Sequence, residues 1–299
     1  MSRETSESAG KRYGLERVCR VLEFPRSTLY AQQTRESTSV MQLRPQRRGP
    51  KPKVADTDLL NAIRIDLDVS PFTGEGHRKV WARLRILRGI RVSRARVLRL
   101  MRENALLSPH RRPQGKAKLH DGSITTDRPN EMWGTDGIRI ETADEGWVWI
   151  FSAVDHFDAC CVGIHTVKTG NRFAALQPIA QGLHTEFGAT GADAGRGLAL
   201  RMDHGTQYTA DDFLNQVKFW GIAPSFAFVA EPQTNGVAER FNRTLKEQVI
   251  HGRVFKNVEE VRLAVTDFKD RYNRHWRLEK QDFMSPHEVR QAYAMRKVA

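Results

Sequence analysis

The feature that most restricts the fold is a change of periodicity at residue 131. From there the chain runs MWGTDGIRIET, WVWIFSAVD and CCVGIHTV, three stretches rich in β-branched and aromatic residues with short connections between them. Such runs predict three consecutive strands. A helical stretch over about 171–187, a strand LALRMD at 198–203, a helix at about 210–219 and a short strand IAPSFAF follow, then long helices at about 234–250 and 257–273. Three strands and then alternating helix and strand predict an α/β fold, a mixed sheet with helical layers.

The half ahead of that break reads as helical and basic. Over 13–32, Leu15, Val18 and Leu22 recur at helical spacing, the pattern breaks at Phe24-Pro25, and Ser27-Thr28 offers a new cap, which predicts two short helices joined by a tight turn. Helices are predicted over about 56–68, 77–88 and 94–106, with Gly89 ending the second and Ser93 capping the third. Residues 34–55 and 108–130 are polar and basic, and read as linkers. Residues 1–128 hold 28 Lys and Arg against 13 Asp and Glu, net +15, while 129–299 hold 20 against 22, net −2, which together make the chain's +13. A basic half joined to a near-neutral half is the footprint of nucleic-acid binding, because phosphate neutralisation supplies most non-specific affinity. The third helix carries Arg96, Arg99 and Arg102 at spacings of three, away from its apolar stripe, as a recognition helix requires.

Several classes are excluded. No run approaches the roughly 18 apolar residues of a membrane span, and MSRETSESAGKRYG lacks the apolar centre of a signal peptide, so a cytoplasmic location without membrane association is expected. Cys19, Cys160 and Cys161 form no CxxC pair, which argues against a disulfide scaffold or a cysteine zinc site.

Three carboxylates stand out. Asp136 shares parity with Ile138 and Ile140, so it points to the face that should be buried, where an ionised carboxylate must be paired, protonated or metal-bound. Asp203 ends an apolar strand just before His204-Gly205, a position that suits a ligand at the sheet's end or an ordinary turn cap. Glu239 lies on the side of its helix away from Phe241, with Arg243 and Lys246 following on its own side. By itself that is also the pattern of a surface Glu-Arg pair.

The motifs WGTD, MDHGTQY and PQTNGVAERF, with 35 residues between Asp203 and Glu239, resemble the D-D-E transposases and integrases of the retroviral-integrase superfamily, on the side of the bacterial insertion-sequence transposases. GHRKVW and VSRARVLRLMRENALL are similar to that family's helix-turn-helix segment, and YNR with SPHEV to its C-terminal signature, so the likeness runs over roughly 12–295. It implies an RNase H-like core over 131–275, preceded by all-helical helix-turn-helix segments at 1–33 and 56–107, with a C-terminal tail over 276–299. It implies Asp136, Asp203 and Glu239 as catalytic metal ligands for two Mg²⁺ ions about 3.5–4 Å apart, with Mn²⁺ as a substitute. Lys246 and Arg243, together with Arg78, Lys79, Arg96, Arg99 and Arg102, become candidate DNA contacts.

The activity so implied is nicking of transposon ends followed by attack of the 3′-hydroxyl on another phosphodiester. Double-stranded DNA, further copies of this chain and the product of an upstream reading frame are the implied partners. An RNase H-like nuclease, or a DNA-binding regulator with a silent core, are the alternatives. The sequence departs from the family at Trp276-Arg277, where many members have Arg-Pro-His near this position, and at VDHFDACC after the second strand, where Asp155 is read as structural. A fragment starting near residue 125 is expected to fold alone.

Overall fold

The computed structural model describes residues 4–37, 53–108, 125–227 and 235–298. Most of the two expected linkers lies outside the described residues. The chain forms two compact units, residues 1–53 and 54–299. In the first, α1 (Leu15–Val21) and α2 (Arg26–Ser37) flank the break at Phe24-Pro25. α2 begins at Arg26 rather than at the expected Ser27-Thr28 cap, because the Pro25 carbonyl already accepts from the Thr28 N–H at 3.1 Å. It also runs to Ser37, into the segment expected to be linker.

The second unit opens with α3 (Asp56–Val69), α4 (His77–Arg88) and α5 (Arg94–Glu103). Gly89 ends α4 in the left-handed region at φ 66°, and the Ser93 hydroxyl accepts from the Arg96 N–H at 3.3 Å. Leu59, Ile63, Val80, Leu84, Val97, Leu100 and Met101 form the core of this bundle. Leu87, the last member of the apolar stripe on α4, stays 60% exposed. Arg83 is buried instead, held by Asp66 at 2.8 Å and Glu75 at 2.5 Å.

The sheet contains β1 (Met132–Thr142), β2 (Gly146–Asp155), β3 (Cys161–Val167), β4 (Ala199–Met202) and β5 (Ala223–Phe226), in the order β3-β2-β1-β4-β5. β1, β2 and β3 are antiparallel neighbours, while β4 pairs in parallel with β1 and with β5. One face packs against α6 (Arg172–Phe187) and α8 (Asp211–Phe219), through Trp133, Phe151, Ile179, Leu183 and Phe213. α6 lies so close to β3 that a Cβ at Gly163 would stand 1.9 Å from the Pro178 carbonyl oxygen. The other face carries α9 (Gly236–Leu245), its continuation as a π-helical turn over Lys246–Ile250, and α10 (Val258–His275). Ile138, Ile150, Phe241, Leu245, Phe268 and Tyr272 fill that layer.

Two contacts bind the flanking segments to this core. Phe72, between α3 and α4, lies edge-on to Trp276 with ring centres 4.9 Å apart and joins the core beneath α10. A fragment starting near residue 125 would lack this side chain, so it would lose part of its own core. We expect such a fragment to melt below the full chain, and Phe72→Ala to lose about 3–5 kcal/mol in denaturant unfolding.

Residues 276–299, read from the sequence as a tail, contain the helix α11 (Pro286–Val298). Its Arg290 reaches back to Asp155 at 3.0 Å and Asp158 at 2.7 Å, and it also pairs with Glu186. Asp155 is fully buried and accepts from the Asn130 and Phe157 N–H groups, as befits a structural residue. Burial and the neighbouring Asp158 push its carboxyl up to about 7, against the pull of Arg290. A carboxyl raised on folding stabilises the fold at low pH and loses that contribution as pH rises through its folded pKa. Arg290→Ala removes the cation facing these acids. It is expected to cost about 3–5 kcal/mol at pH 8, and less at pH 5 where Asp155 is protonated; thermal melts at the two pH values measure the difference.

Candidate active site

Asp136 stands in the middle of β1 on the face under α9, as its parity predicts. It is half-buried, its Oδ1 accepting from the Gly137 N–H at 2.8 Å and its Oδ2 from the Asn242 side-chain amide at 2.8 Å. Burial raises its carboxyl above the usual range and Asp203 adds to the rise, while the Asn242 and Gly137 bonds and the charge of Lys246 oppose it. The offset that pairs Met132, Trp133 and Gly134 with Ala199, Leu200 and Arg201 carries Asp136 level with Asp203 on the same face. Asp203 is exposed just past the end of β4, its Oδ1 accepting from the Gly205 N–H at 2.9 Å. The turn chemistry of Asp-x-Gly is therefore present at an exposed carboxylate.

Glu239 is on the first turn of α9, where Ala238, Phe241 and Leu245 point into the core and leave it exposed. Burial raises its carboxyl too, with Asp136 and Asp203 raising it further. All three acids thus share one electrostatic field. A cavity of about 460 Å³ is lined by Asp136 and Glu239, together with Asn242, Arg243, Lys246, Glu247 and His251. Asp203 does not line it. Among the described residues no three His, Cys, Asp or Glu side chains stand close enough together to enclose a metal ion.

Two residues at the site escaped the sequence reading. Asn242 is a buried amide one turn beyond Glu239, and the Ser152 hydroxyl donates to its Oδ1 at 3.1 Å. Asn235 is also buried, donating to the Thr135 carbonyl at 2.9 Å. Gly134 permits that approach, since a Cβ there would lie 2.6 Å from the Asn235 Oδ1. The available signal was a pair of asparagines flanking VAERF, on the same helical stretch as Glu239.

The basic candidates divide. Arg243 is exposed and Lys246 half-buried, both on the cavity wall. On α5, Arg96 and Arg99 both clasp Asp56 at 2.5 Å, and Arg99 also pairs with Glu103. Arg102 is exposed and forms no ion pair among the described residues. Arg78 pairs with Glu279 at 2.7 Å, and the Lys79 ammonium sits over the Trp276 ring. Arg78, Lys79, Arg96 and Arg99 thus have partners within the chain that DNA would have to displace.

Residues 126–232 and 220–291 match two families, each described as an integrase core domain, and residues 75–114 match a family described as an HTH-like domain. The chain belongs to the integrase-core superfamily, among the insertion-sequence transposases. The transposase for insertion sequence element IS629 from Shigella sonnei is 27% identical to this integrase-core chain over 294 residues, 95% of this chain and 93% of that protein. Transposase InsD for the insertion element IS2A/D/F/H/I/K from Escherichia coli is 28% identical over 205 residues, 65% of each. Among solved structures, the catalytic core domain of BIV integrase overlaps with a TM-score of 0.40 at 20% identity, covering 57% of this chain and 99% of that one.

The Asp56 clasp is expected to hold back DNA binding by Arg96 and Arg99. Asp56→Ala releases Arg96 and Arg99, and non-specific DNA affinity should rise. The slope of log affinity against log salt should steepen by about 0.9 for each arginine that gains a phosphate. An unchanged slope in salt-titrated binding would show that neither arginine reaches the DNA backbone.

Proposed function

We propose that this DNA transposase nicks the ends of its element and joins the freed 3′-hydroxyl to another phosphodiester, with Asp136, Asp203 and Glu239 as its catalytic carboxylates. The observation that carries this reading is that Asp136 from the central strand and Glu239 from α9 face one cavity whose wall holds Arg243 and Lys246. Asp203 stands level with Asp136 at the end of the adjoining strand.

The donor set fits Mg²⁺ by its chemistry. The three groups are hard oxygen donors, each keeps lone pairs beyond its present hydrogen bonds, and Asp203 lies at a sheet end where water and a phosphate oxygen have access. Bound there, divalent cations would make the attacking oxygen a better nucleophile and stabilise the charge on the leaving oxygen. The chain's own residues supply the rest. Lys246 and Arg243 bind the phosphates flanking the scissile bond, holding the DNA against the carboxylates. Arg102 and its neighbours on α5 add contacts from the helical bundle, and DNA takes over the arginines now paired with Asp56 and Glu279. On transposon DNA the chain works as a homo-oligomer, since two ends must be brought together, and the product of an upstream reading frame is a further partner of the active form. A nuclease without end recognition would have no need of the HTH-like segment matched at 75–114.

Asp136→Asn, Asp203→Asn and Glu239→Gln are each expected to abolish nicking and strand transfer together while leaving DNA affinity within a few-fold of wild type. The assay uses labelled terminal repeats with Mg²⁺. Mn²⁺ should replace Mg²⁺, and Ca²⁺ should support binding with little cleavage. Strand transfer at the wild-type rate in Asp203→Asn would remove Asp203 from the site. Lys246→Ala should weaken crosslinking at the cleaved phosphate more than it weakens overall binding.

A further inference from the structure

The buried Asn242 does more than fill the core. Its Nδ2 donates to the Asp136 Oδ2 at 2.8 Å, and its Oδ1 accepts from the Ser152 hydroxyl at 3.1 Å. Ser152 is fully buried and lies directly opposite Asp136 in the β1–β2 register. The amide is therefore held between two neighbouring strands, and its orientation is fixed: the oxygen faces a hydroxyl donor and the nitrogen faces a carboxylate. Asp136's other oxygen is held by the Gly137 N–H, so the carboxylate is fixed at both ends.

Asn242 also lies on the same helix as Glu239, one turn on, and lines the same cavity. The bond from Asn242 to Asp136 consequently ties the helix that carries one acid to the strand that carries another. Apolar packing through Phe241 and Leu245 holds α9 against the sheet, and Asn235 ties its start to the Thr135 carbonyl, but neither contact touches the Asp136 carboxylate. The directed bond from the buried Asn242 does, and sets its orientation.

Resting on the carboxylate reading above, we propose that Asn242 is a positioning residue of the metal site: it fixes the carboxylate plane of Asp136 and the separation between Asp136 and Glu239. Ser152 serves the same purpose one step further out, by holding the amide. Neither residue needs to touch DNA. Partners that orient a ligating carboxylate typically alter metal affinity by about 10- to 100-fold when removed.

The test measures metal binding directly, without turnover. Mn²⁺ is titrated into the full-length protein without DNA and followed by electron paramagnetic resonance, with thermal melts of the metal-free protein alongside. Asn242→Leu keeps the volume and removes both bonds. It should raise the half-saturating Mn²⁺ concentration by about 10- to 100-fold, and Ser152→Ala should shift it in the same direction by less. Asp136→Asn/Asn242→Leu should bind Mn²⁺ no more weakly than Asp136→Asn alone, because Asn242 acts only through that carboxylate.

Wild-type Mn²⁺ binding in Asn242→Leu, with binding lost in Asp136→Asn, would overturn the positioning role and leave the carboxylate site standing. Wild-type binding in Asp136→Asn would overturn the carboxylate site itself. Should Asn242→Leu fail to fold, Ser152→Ala decides: a weaker Mn²⁺ affinity at an unchanged melting temperature supports the inference, and an unchanged affinity overturns it.

Discussion

Everything at the candidate site depends on the packing of α9 against the central antiparallel strands. Phe241 and Leu245 drop between Ile138 and Ile150 from the sheet and Phe268 and Tyr272 from α10, with the Phe241 and Tyr272 ring centres 5.0 Å apart. Truncating one such buried ring costs about 3–5 kcal/mol, more than any single polar contact at the site contributes. This packing fixes which side of α9 turns away from the core. Glu239, Arg243 and Lys246 occupy that side, so apolar burial decides which charged groups face the cavity beside Asp136.

Two sets of buried or half-buried acids in this protein face a single arginine each. Asp66 and Glu75 face Arg83, and Asp155, Asp158 and Glu186 face Arg290. Each of those sets is closed by a guanidinium, whose planar fork satisfies several carboxylate oxygens at once. Asp136 and Glu239 form no ion pair among the described residues; burial raises both carboxyls, Asp203 adds to both, and Asp136 adds to the rise at Glu239. Carboxyls raised by burial and by neighbouring acids in one cavity are the kind of groups that cluster at functional sites. Asp155, at the end of β2, belongs to the set held by Arg290.

The helical bundle shows the same economy of charge on its surface. Arg96 and Arg99 are engaged by Asp56, Arg78 and Arg94 by Glu279, so four of the arginines on this bundle are paired with acids of the same chain. Exposed pairs of this kind are weak and yield readily to a polyanion. The bundle and the core are joined by apolar contact, with Phe72 inserted under α10, and by two hydrogen bonds of the Gln248 side chain, to the N–H and to the carbonyl of Thr73.

The sequence by itself determined the order of the strands and of the main helices, the parity that turns Asp136 to a core-facing side of β1, and the end of β4 to within one residue, at Met202 rather than Asp203. Alternation and helical spacing are local properties of the backbone, and the burial of alternate residues enforces them. Spacing along one helix likewise put Glu239, Arg243 and Lys246 on one side. What the sequence left open was settled by long-range contact. Leu87 belongs to the apolar stripe of α4 yet faces out, while Arg83 lies inside because Asp66 and Glu75, 17 and 8 residues before it, converge on its guanidinium. The segment after residue 275 has no strong pattern of its own, and α11 is fixed by the attraction of Arg290 to acids more than a hundred residues earlier. Asn242 reads in the sequence as an ordinary helix asparagine. Only the tertiary structure places Asp136 and Ser152 against it, because the pairing of β1 with β2 and the docking of α9 both have to occur before its two ends have partners.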